Sequence, residues 1–157
     1  MASQLPVTGV VPLVQMLGED EDETSRLKKM VETAQQFLLD FAWCLSIKDF
    51  YFGDGIGDVV AIFLAQIEPA SPDIDGYLWV VVGDLPPAYL VTDDAHTPRL
   101  ALESYIDVMR TWVACVQDGG NLHEVFPVKV PATDEWAEAL ESRLNALEEK
   151  IMPAWFA

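Results

Sequence analysis

The feature that most constrains the fold is a pair of apolar runs in the middle of the chain, at residues 59–67 and 77–82. Both are rich in β-branched residues and almost lack charge, which is typical of strands buried on both faces. Residues 69–76 between them (PASPDIDG) have the composition of a loop. We therefore expect an antiparallel hairpin, which a short strand at residues 88–91 extends to a three-stranded meander.

Three segments with the period of an amphipathic helix surround these runs. They are expected at residues 24–43, at residues 98–117, and from residue 134 to just before Pro153. The second has a clear start, because Thr97 can cap the free amides and Pro98 has no amide to lose. Four tryptophans lie in or beside the apolar patterns and are expected in the core: Trp43, Trp79, Trp112 and Trp136.

Two proline-containing segments are expected at the periphery of the sheet. Residues 5–17 fit either an edge strand or an extended arm, and residues 123–130 (HEVFPVKV) fit an edge strand. The sequence thus predicts an α+β fold in which an antiparallel sheet of three to four strands packs against about three helices. We expect one domain over residues 1–157, with an arm and an acidic run at 1–23 and the core at 24–157.

The charge of the chain restricts its partners. With 26 acidic and 9 basic residues the formal charge is −17, which disfavours nucleic acid and anionic membranes as partners because both would repel the protein. Residues 1–78 carry 13 acidic and 4 basic groups and residues 79–157 carry 13 and 5, so neither half is an acidic tail. The sequence favours a basic protein as the partner.

Few features suggest export or membrane insertion. The apolar stretch at residues 5–17 follows no basic segment, is interrupted by Pro6, Gly9 and Pro12, and is too short to span a bilayer. Cys44 and Cys115 lie in apolar patterns, where a reduced thiol packs as a small hydrophobic group. We expect a cytoplasmic protein with two reduced cysteines.

The motifs of catalysis and of cofactor or metal binding are incomplete. The glycine-rich residues 53–57 (GDGIG) precede a strand pattern and not a capped helix, so we expect a flexible turn or a bulge there and no nucleotide. His96 and His123 have no second ligand at zinc spacing. We therefore predict no catalytic residue, no metal and no cofactor, although glycosidase-type carboxylate pairs among Glu68, Asp84 and Glu103 remain to be tested.

Candidate partner-binding residues are acidic side chains in predicted surface segments and two aromatic residues after the last helix. The acidic candidates are Glu19, Asp20, Glu21, Asp22, Glu23, Asp93, Asp94, Glu103 and Asp107. The aromatic pair, Trp155 and Phe156, either caps the core or anchors a partner, including a second copy of the chain in a homodimer.

Three stretches carry a resemblance to small uncharacterised bacterial proteins. Residues 78–91 (LWVVVGDLPPAYLV), 101–120 (ALESYIDVMRTWVACVQDGG) and 125–133 (VFPVKVPAT) resemble their pattern WVVVGDLPxAYL followed by ALExYIxxMxxWV. The resemblance implies a bacterial, cytosolic origin and carries no catalytic motif. The acidic composition is also similar to that of immunity proteins that neutralise basic toxins, a link by analogy.

Three functions follow as hypotheses. The first is a non-catalytic acidic binding protein, in its most concrete form an immunity-type inhibitor of a basic bacterial toxin. The second is a small-molecule-binding domain or small enzyme that uses Asp54, Asp58 and Asp84, which predicts a deep polar pocket beside Gly83 and Asp84. The third is a homo-oligomeric structural module joined through Trp155 and Phe156 or through an edge strand.

Overall fold

The computed structural model describes residues 5–128 and 130–155. It is an α+β structure with a five-stranded antiparallel sheet in the order β1-β2-β3-β4-β5 and three helices. The strands are β1 (Val11–Pro12), β2 (Cys44–Ile56), β3 (Val60–Pro69), β4 (Tyr77–Gly83) and β5 (Leu85–Val91); the helices are α1 (Glu21–Leu39), α2 (Pro98–Asp118) and α3 (Asp134–Ala146). The expected fold class is confirmed, with more strands than expected.

By its backbone contacts the chain divides into two compact units, residues 1–102 and 103–157, with the boundary inside α2. The first unit holds the whole sheet and α1. The second holds most of α2 and all of α3. A single domain over the full chain stays a prediction.

The predicted meander is confirmed as strands β3, β4 and β5. Residues from Val60 to Ala65 and from Leu78 to Val82 are buried on both faces of the sheet, which is why these runs almost lack polar residues. One face of the sheet packs against α1, whose buried side chains include Leu27, Ala34 and Leu38. On the other face the indole Nε1 of Trp79 donates to the carbonyl of Ala95 at 2.7 Å, so this fully buried ring keeps its hydrogen bond.

Both edges of the sheet contain proline. Val11 and Pro12 pair with Phe52 and Tyr51, so the N-terminal segment contributes a two-residue edge strand. The other edge is β5, which contains Pro86 and Pro87. Proline has no backbone N–H to donate to a ladder, and its place at an edge is therefore expected.

Strand β2 is the principal element that the sequence did not predict. The glycine-rich residues 53–57 belong mostly to this strand. Of the turn or bulge predicted there, a turn is found at Gly57, and the pairing with β3 shifts at Gly53, between Phe52 and Asp54. A Cβ atom on Gly53 would lie 3.0 Å from the carbonyl oxygen of Ile62, and one on Gly55 would lie 2.8 Å from a methyl group of Leu27. These glycines therefore serve close packing across the sheet and against α1.

Several predicted boundaries also differ. Helix α1 begins at Glu21 and ends at Leu39, so the last three residues of the acidic run lie inside the helix and not in an arm. The predicted strand at 123–130 was wrong, because Leu122–Glu124 form a 3₁₀ turn and the described residues after it lack strand pairing. Helix α3 does not stop before Pro153, since a π-helical segment (Leu147–Ile151) leads into a last helical turn (Met152–Trp155).

The tryptophan predictions were partly correct. Trp79 and Trp112 are buried, as expected. Trp136 is 47% exposed, because the buried face of α3 carries Ala137, Leu140 and Leu144 instead. Trp43 is half-buried in an aromatic cluster described below.

Candidate functional site

The acidic run at the start of α1 is used largely within the helix itself. Asp20 is the N-cap, and its Oδ1 accepts a hydrogen bond from the backbone N–H of Glu23 at 2.8 Å. The carboxylate of Glu23 accepts in turn from the backbone N–H of Glu19 at 2.8 Å. Carboxylates at this position satisfy amides that have no partner in the helix and interact favourably with its dipole. Two of the five predicted acidic contacts thus have a structural role.

Arg26 connects α1 to the turn between β2 and β3. Its guanidinium lies 2.8 Å from the carboxylate of Asp22 and 3.5 Å from that of Asp58. Asp58 adopts a positive φ of 65°, which places its side chain in this turn beside the helix. All three side chains are at least half exposed, so the pairs add little to stability. They do neutralise part of the acidic charge at this end of the sheet.

A cavity of about 310 Å³ lies next to this ion-pair network. Its lining combines α1 with the β2–β3 and β4–β5 turns: Lys29, Met30, Thr33, Asp58, Val82, Gly83 and Asp84. The backbone N–H of Asp84 donates to the carbonyl of Val59 at 2.9 Å and fixes the second turn against the first. The small-molecule hypothesis predicted a deep polar pocket here. The lining includes two of its three aspartates, but the cavity is wide open to solvent and is partly apolar, so it is shallower than predicted.

Asp54, the third aspartate, does not line this cavity. It lies on β2 opposite Ile62, with its carboxylate half-buried. Burial raises the pKa of this carboxyl group, while a hydrogen bond of 2.8 Å from the backbone N–H of Gly55 acts in the opposite direction. A second surface cavity, of about 510 Å³, lies along the first turns of α1 between Leu17 and Lys28.

The opposite end of the sheet carries a cluster of four aromatic rings. Phe41 stacks on Trp43 with centroids 4.9 Å apart, and Tyr89 meets both rings edge-on at 5.3 and 5.0 Å. Phe37, one helical turn before Phe41, completes the group at 5.2 Å from it. Phe37 is buried, whereas the other three rings are only half-buried. This cluster combines α1, the loop that follows it and β5.

The strand register separates the predicted partner-binding residues. Asp58 and Asp84 lie where β2 ends and β4 ends, at the same end of the sheet as the N-terminal half of α1. Asp93 and Asp94 follow Val91, which pairs with Leu78 at the other end. The run at 19–23 and the pair at 93–94 therefore do not form one surface.

The remaining candidates lie in the second unit or outside the described residues. Glu103 is half-buried and Asp107 is exposed, both on α2. Trp155 is half-buried at the end of the last helical turn. Phe156 lies outside the described residues.

The carboxylate pairs proposed for glycosidase chemistry are not brought together in the first unit. Glu68 lies eight positions along β3 from Val60, which pairs with Gly83 beside Asp84. At about 3.3 Å per residue, Glu68 and Asp84 are roughly 26 Å apart along the sheet. Catalytic carboxylates of glycosidases lie about 5 to 9.5 Å apart, so this pair does not fit.

Other reactive groups are dispersed. Cys44 and Cys115 are free thiols, and burial raises the pKa of Cys44. His96 and His123 are both exposed. Within residues 5–128 and 130–155, no three His, Cys, Asp or Glu side chains are grouped so that they could hold a metal ion. The same residues include no helix that is long and apolar enough to cross a membrane.

The aromatic cluster could not be predicted from the sequence, for a physical reason. Phe37 and Phe41 are four residues apart and are indistinguishable from an ordinary helix stripe. Tyr89 reaches them only through the pairing of β5 with β4, which no local pattern encodes.

Comparison of the chain with protein-family models, with curated proteins and with solved structures gives no match.

Proposed function

We propose that this protein is a non-catalytic binding protein whose partner is a basic protein. The observation that carries the proposal is the excess of carboxylates in both units. Residues 1–102 contain 16 acidic and 5 basic side chains, and residues 103–157 contain 10 and 4. Such a field attracts a basic partner and accelerates its association.

An immunity-type inhibitor of a basic bacterial toxin is the most concrete form of this function. A basic enzyme that acts on nucleic acid must present cations around its active site to hold phosphates. An acidic protein can occupy those cations and cover the site without chemistry of its own. The similarity to acidic immunity proteins and the resemblance to small bacterial proteins support this version by analogy.

The first experiment is capture of partners on the tagged full-length protein at low salt, with elution by a salt step. The captured protein is then purified, and its association rate is measured between about 20 and 300 mM salt, where the screening length falls steeply. We expect a basic protein whose association slows strongly with salt and whose own activity is blocked by stoichiometric addition. Salt-independent association would contradict the electrostatic mechanism.

A second candidate function rests on the cavity beside Asp84. Its lining offers a cation, a hydroxyl group and two carboxylates, from Lys29, Thr33, Asp58 and Asp84, which suits a small zwitterionic ligand. A screen of amino acids and small amines by thermal shift tests it. Any ligand that binds there should lose its effect in Lys29→Met and keep it in Lys28→Met, because Lys28 does not line this cavity. A screen without such a ligand removes this candidate.

A further inference from the structure

Three segments of the first unit meet at one end of the sheet, which we call the aromatic end: residues 39–45, 70–76 and 91–94. Cys44 pairs with Pro69, and Leu78 pairs with Val91, so the start of β2 and the end of β5 flank the loop between β3 and β4. The backbone N–H of Ala70 donates to the carbonyl of Trp43 at 2.9 Å and joins the first two segments directly.

Three of the large apolar side chains that the structure leaves exposed lie in or next to these segments. Leu39 is 44% exposed, Leu45 57% and Val91 49%, beside the half-buried rings of Phe41 and Trp43. Val91 lies on the same face as Tyr89, since residues two apart along a strand point the same way. A single exposed leucine or valine is ordinary. Three of them at the same end of the sheet as partly exposed aromatic rings are the kind of side chains found at the centre of protein interfaces, where aromatic anchors dominate the energy.

The charges around these apolar groups all have one sign. The three segments contain five carboxylates and no lysine or arginine: Asp40, Asp73, Asp75, Asp93 and Asp94. All five residues are exposed. The nearest basic residues along the chain, Lys48 and Arg99, lie outside the segments.

The other end of the sheet carries basic as well as acidic side chains. There Arg26, Lys28 and Lys29 lie among the carboxylates of α1. Asp22 and Asp58 contact Arg26, and Asp20 caps the helix. Its negative charge is therefore partly neutralised and partly used within the fold, so the aromatic end is the better match for a cationic surface.

We infer that the aromatic end is the docking site for the basic partner, and that an arginine or lysine side chain of this partner packs on the rings of Trp43 and Tyr89, while the aspartates of the three segments attract it. The inference rests on the proposed function and adds where the partner binds. A cation over an aromatic face is attracted by the ring quadrupole, and nearby carboxylates hold its polar groups. Arginine suits the site better than lysine, since its planar group stacks on rings and is less strongly hydrated.

The test uses the full-length chain and a defined probe, a fluorescent peptide of alternating arginine and glycine. Its lysine–glycine counterpart is the comparison, and a glutamate–glycine peptide is the negative control. One variant removes three charges at the aromatic end (Asp75→Asn, Asp93→Asn, Asp94→Asn). A matched variant removes three charges from α1 and the residue pair before it (Glu19→Gln, Glu21→Gln, Glu32→Gln). All six side chains are exposed, so both variants should keep the fold.

We expect the aromatic-end variant to bind the arginine peptide at least about fivefold more weakly than the wild type, from three lost exposed ion pairs. The matched variant has the same net charge and should lose about twofold or less. Trp43→Leu should weaken the arginine peptide by roughly two- to fivefold, the range of an exposed cation–π contact. In NMR spectra, the indole N–H signal of Trp43, identified by its loss in Trp43→Phe, should shift on titration.

The outcomes separate the two proposals. Equal loss in the two charge variants, or peptide-induced shifts confined to the N-terminal half of α1, would overturn the docking site and leave a basic partner in place. If the wild type binds neither basic peptide at low salt, the proposed function itself fails.

Discussion

Among the glycines, Gly83 is the position at which substitution by alanine should destabilise the fold most. It adopts a φ of 151°, and a Cβ built on it would lie 2.2 Å from the carbonyl oxygen of Val59 and 2.7 Å from the Cα of Val60. Both obstacles are backbone atoms of the neighbouring strand and its turn, so no side-chain rotation can relieve the contact. Gly83→Ala must therefore shift β4 relative to β3 at the end where Asp84 enters the cavity.

The size of the effect follows from two contributions. A residue held in a sparsely populated region of φ and ψ costs about 1 to 3 kcal/mol, and overpacking against fixed atoms costs a similar amount. We expect Gly83→Ala to lower the free energy of unfolding by roughly 3 kcal/mol, a large fraction of the usual 5–15 kcal/mol. For a chain of this length that corresponds to a fall in Tm of about 6 to 12 °C.

Two other glycines serve as controls. Gly119 has a φ of 70° but no atom within 4 Å of a Cβ, so Gly119→Ala should cost only the left-handed conformation, about 1 kcal/mol. Gly76 has open space and no such φ, and Gly76→Ala should change stability by less than about 1 kcal/mol. Urea unfolding followed by circular dichroism measures all three. If Gly83→Ala proves as mild as Gly76→Ala, the close approach of Gly83 to Val59 is wrong.

Three further predictions concern single groups in the fold. Burial raises the pKa of Asp54 in the folded state, so its ionisation lowers stability as pH rises through the window between its ordinary and raised pKa. Asp54→Asn should therefore stabilise the protein at pH 7, and in unfolding measured at several pH values this gain should shrink as pH falls through the same window and be absent below it. Trp79→Phe leaves the carbonyl of Ala95 without its donor and should cost about 1 to 3 kcal/mol in the same urea assay. Cys44 is buried with a raised pKa and Cys115 is half-exposed, so a thiol reagent should modify Cys115 first, and Cys115→Ala should abolish the fast phase; a fast phase that persists would contradict this assignment.

The elements predicted best from the sequence are those with the simplest environment. Residues 60–65 of β3 and 78–82 of β4 are buried on both faces, so every position in these runs is apolar and the pattern cannot be mistaken for a loop. Helix α2 has a start signal at Thr97 and Pro98 and a glycine pair beyond its end, and it was predicted to within one residue. In the strands this simplicity comes from burial on both faces, and in α2 it comes from a clear signal at each end of the helix.

Strand β2 was not predicted because its residues must accommodate both an irregular pairing with β3 and close packing at two glycines. Its pairing with β3 shifts at three places, between Cys44 and Ser46, Ile47 and Asp49, and Phe52 and Asp54. Each shift reverses the alternation of inward and outward side chains, so no period of two survives along the strand. Gly53 and Gly55 then suggest a turn in the sequence, because close packing against a backbone or a side chain favours the same residue as a tight turn.

The contiguous acidic run at residues 19–23 was the most visible candidate site in the sequence, but it says less about a partner than the aspartates of the aromatic end. Five consecutive carboxylates before a helix are conspicuous in a sequence, yet a helix start is also where the fold itself uses negative charge, through Asp20 and Glu23. The aspartates of the aromatic end are spread over 55 positions, from Asp40 to Asp94, and look unremarkable one by one. The meander and the end of α1 bring them to one end of the sheet, in three segments that contain no lysine or arginine. Asp40 accepts a hydrogen bond from Gln36 at 2.8 Å, but carboxylates that the fold gathers in segments without a lysine or arginine are still a stronger argument for a basic partner than charge that is merely dense along the chain.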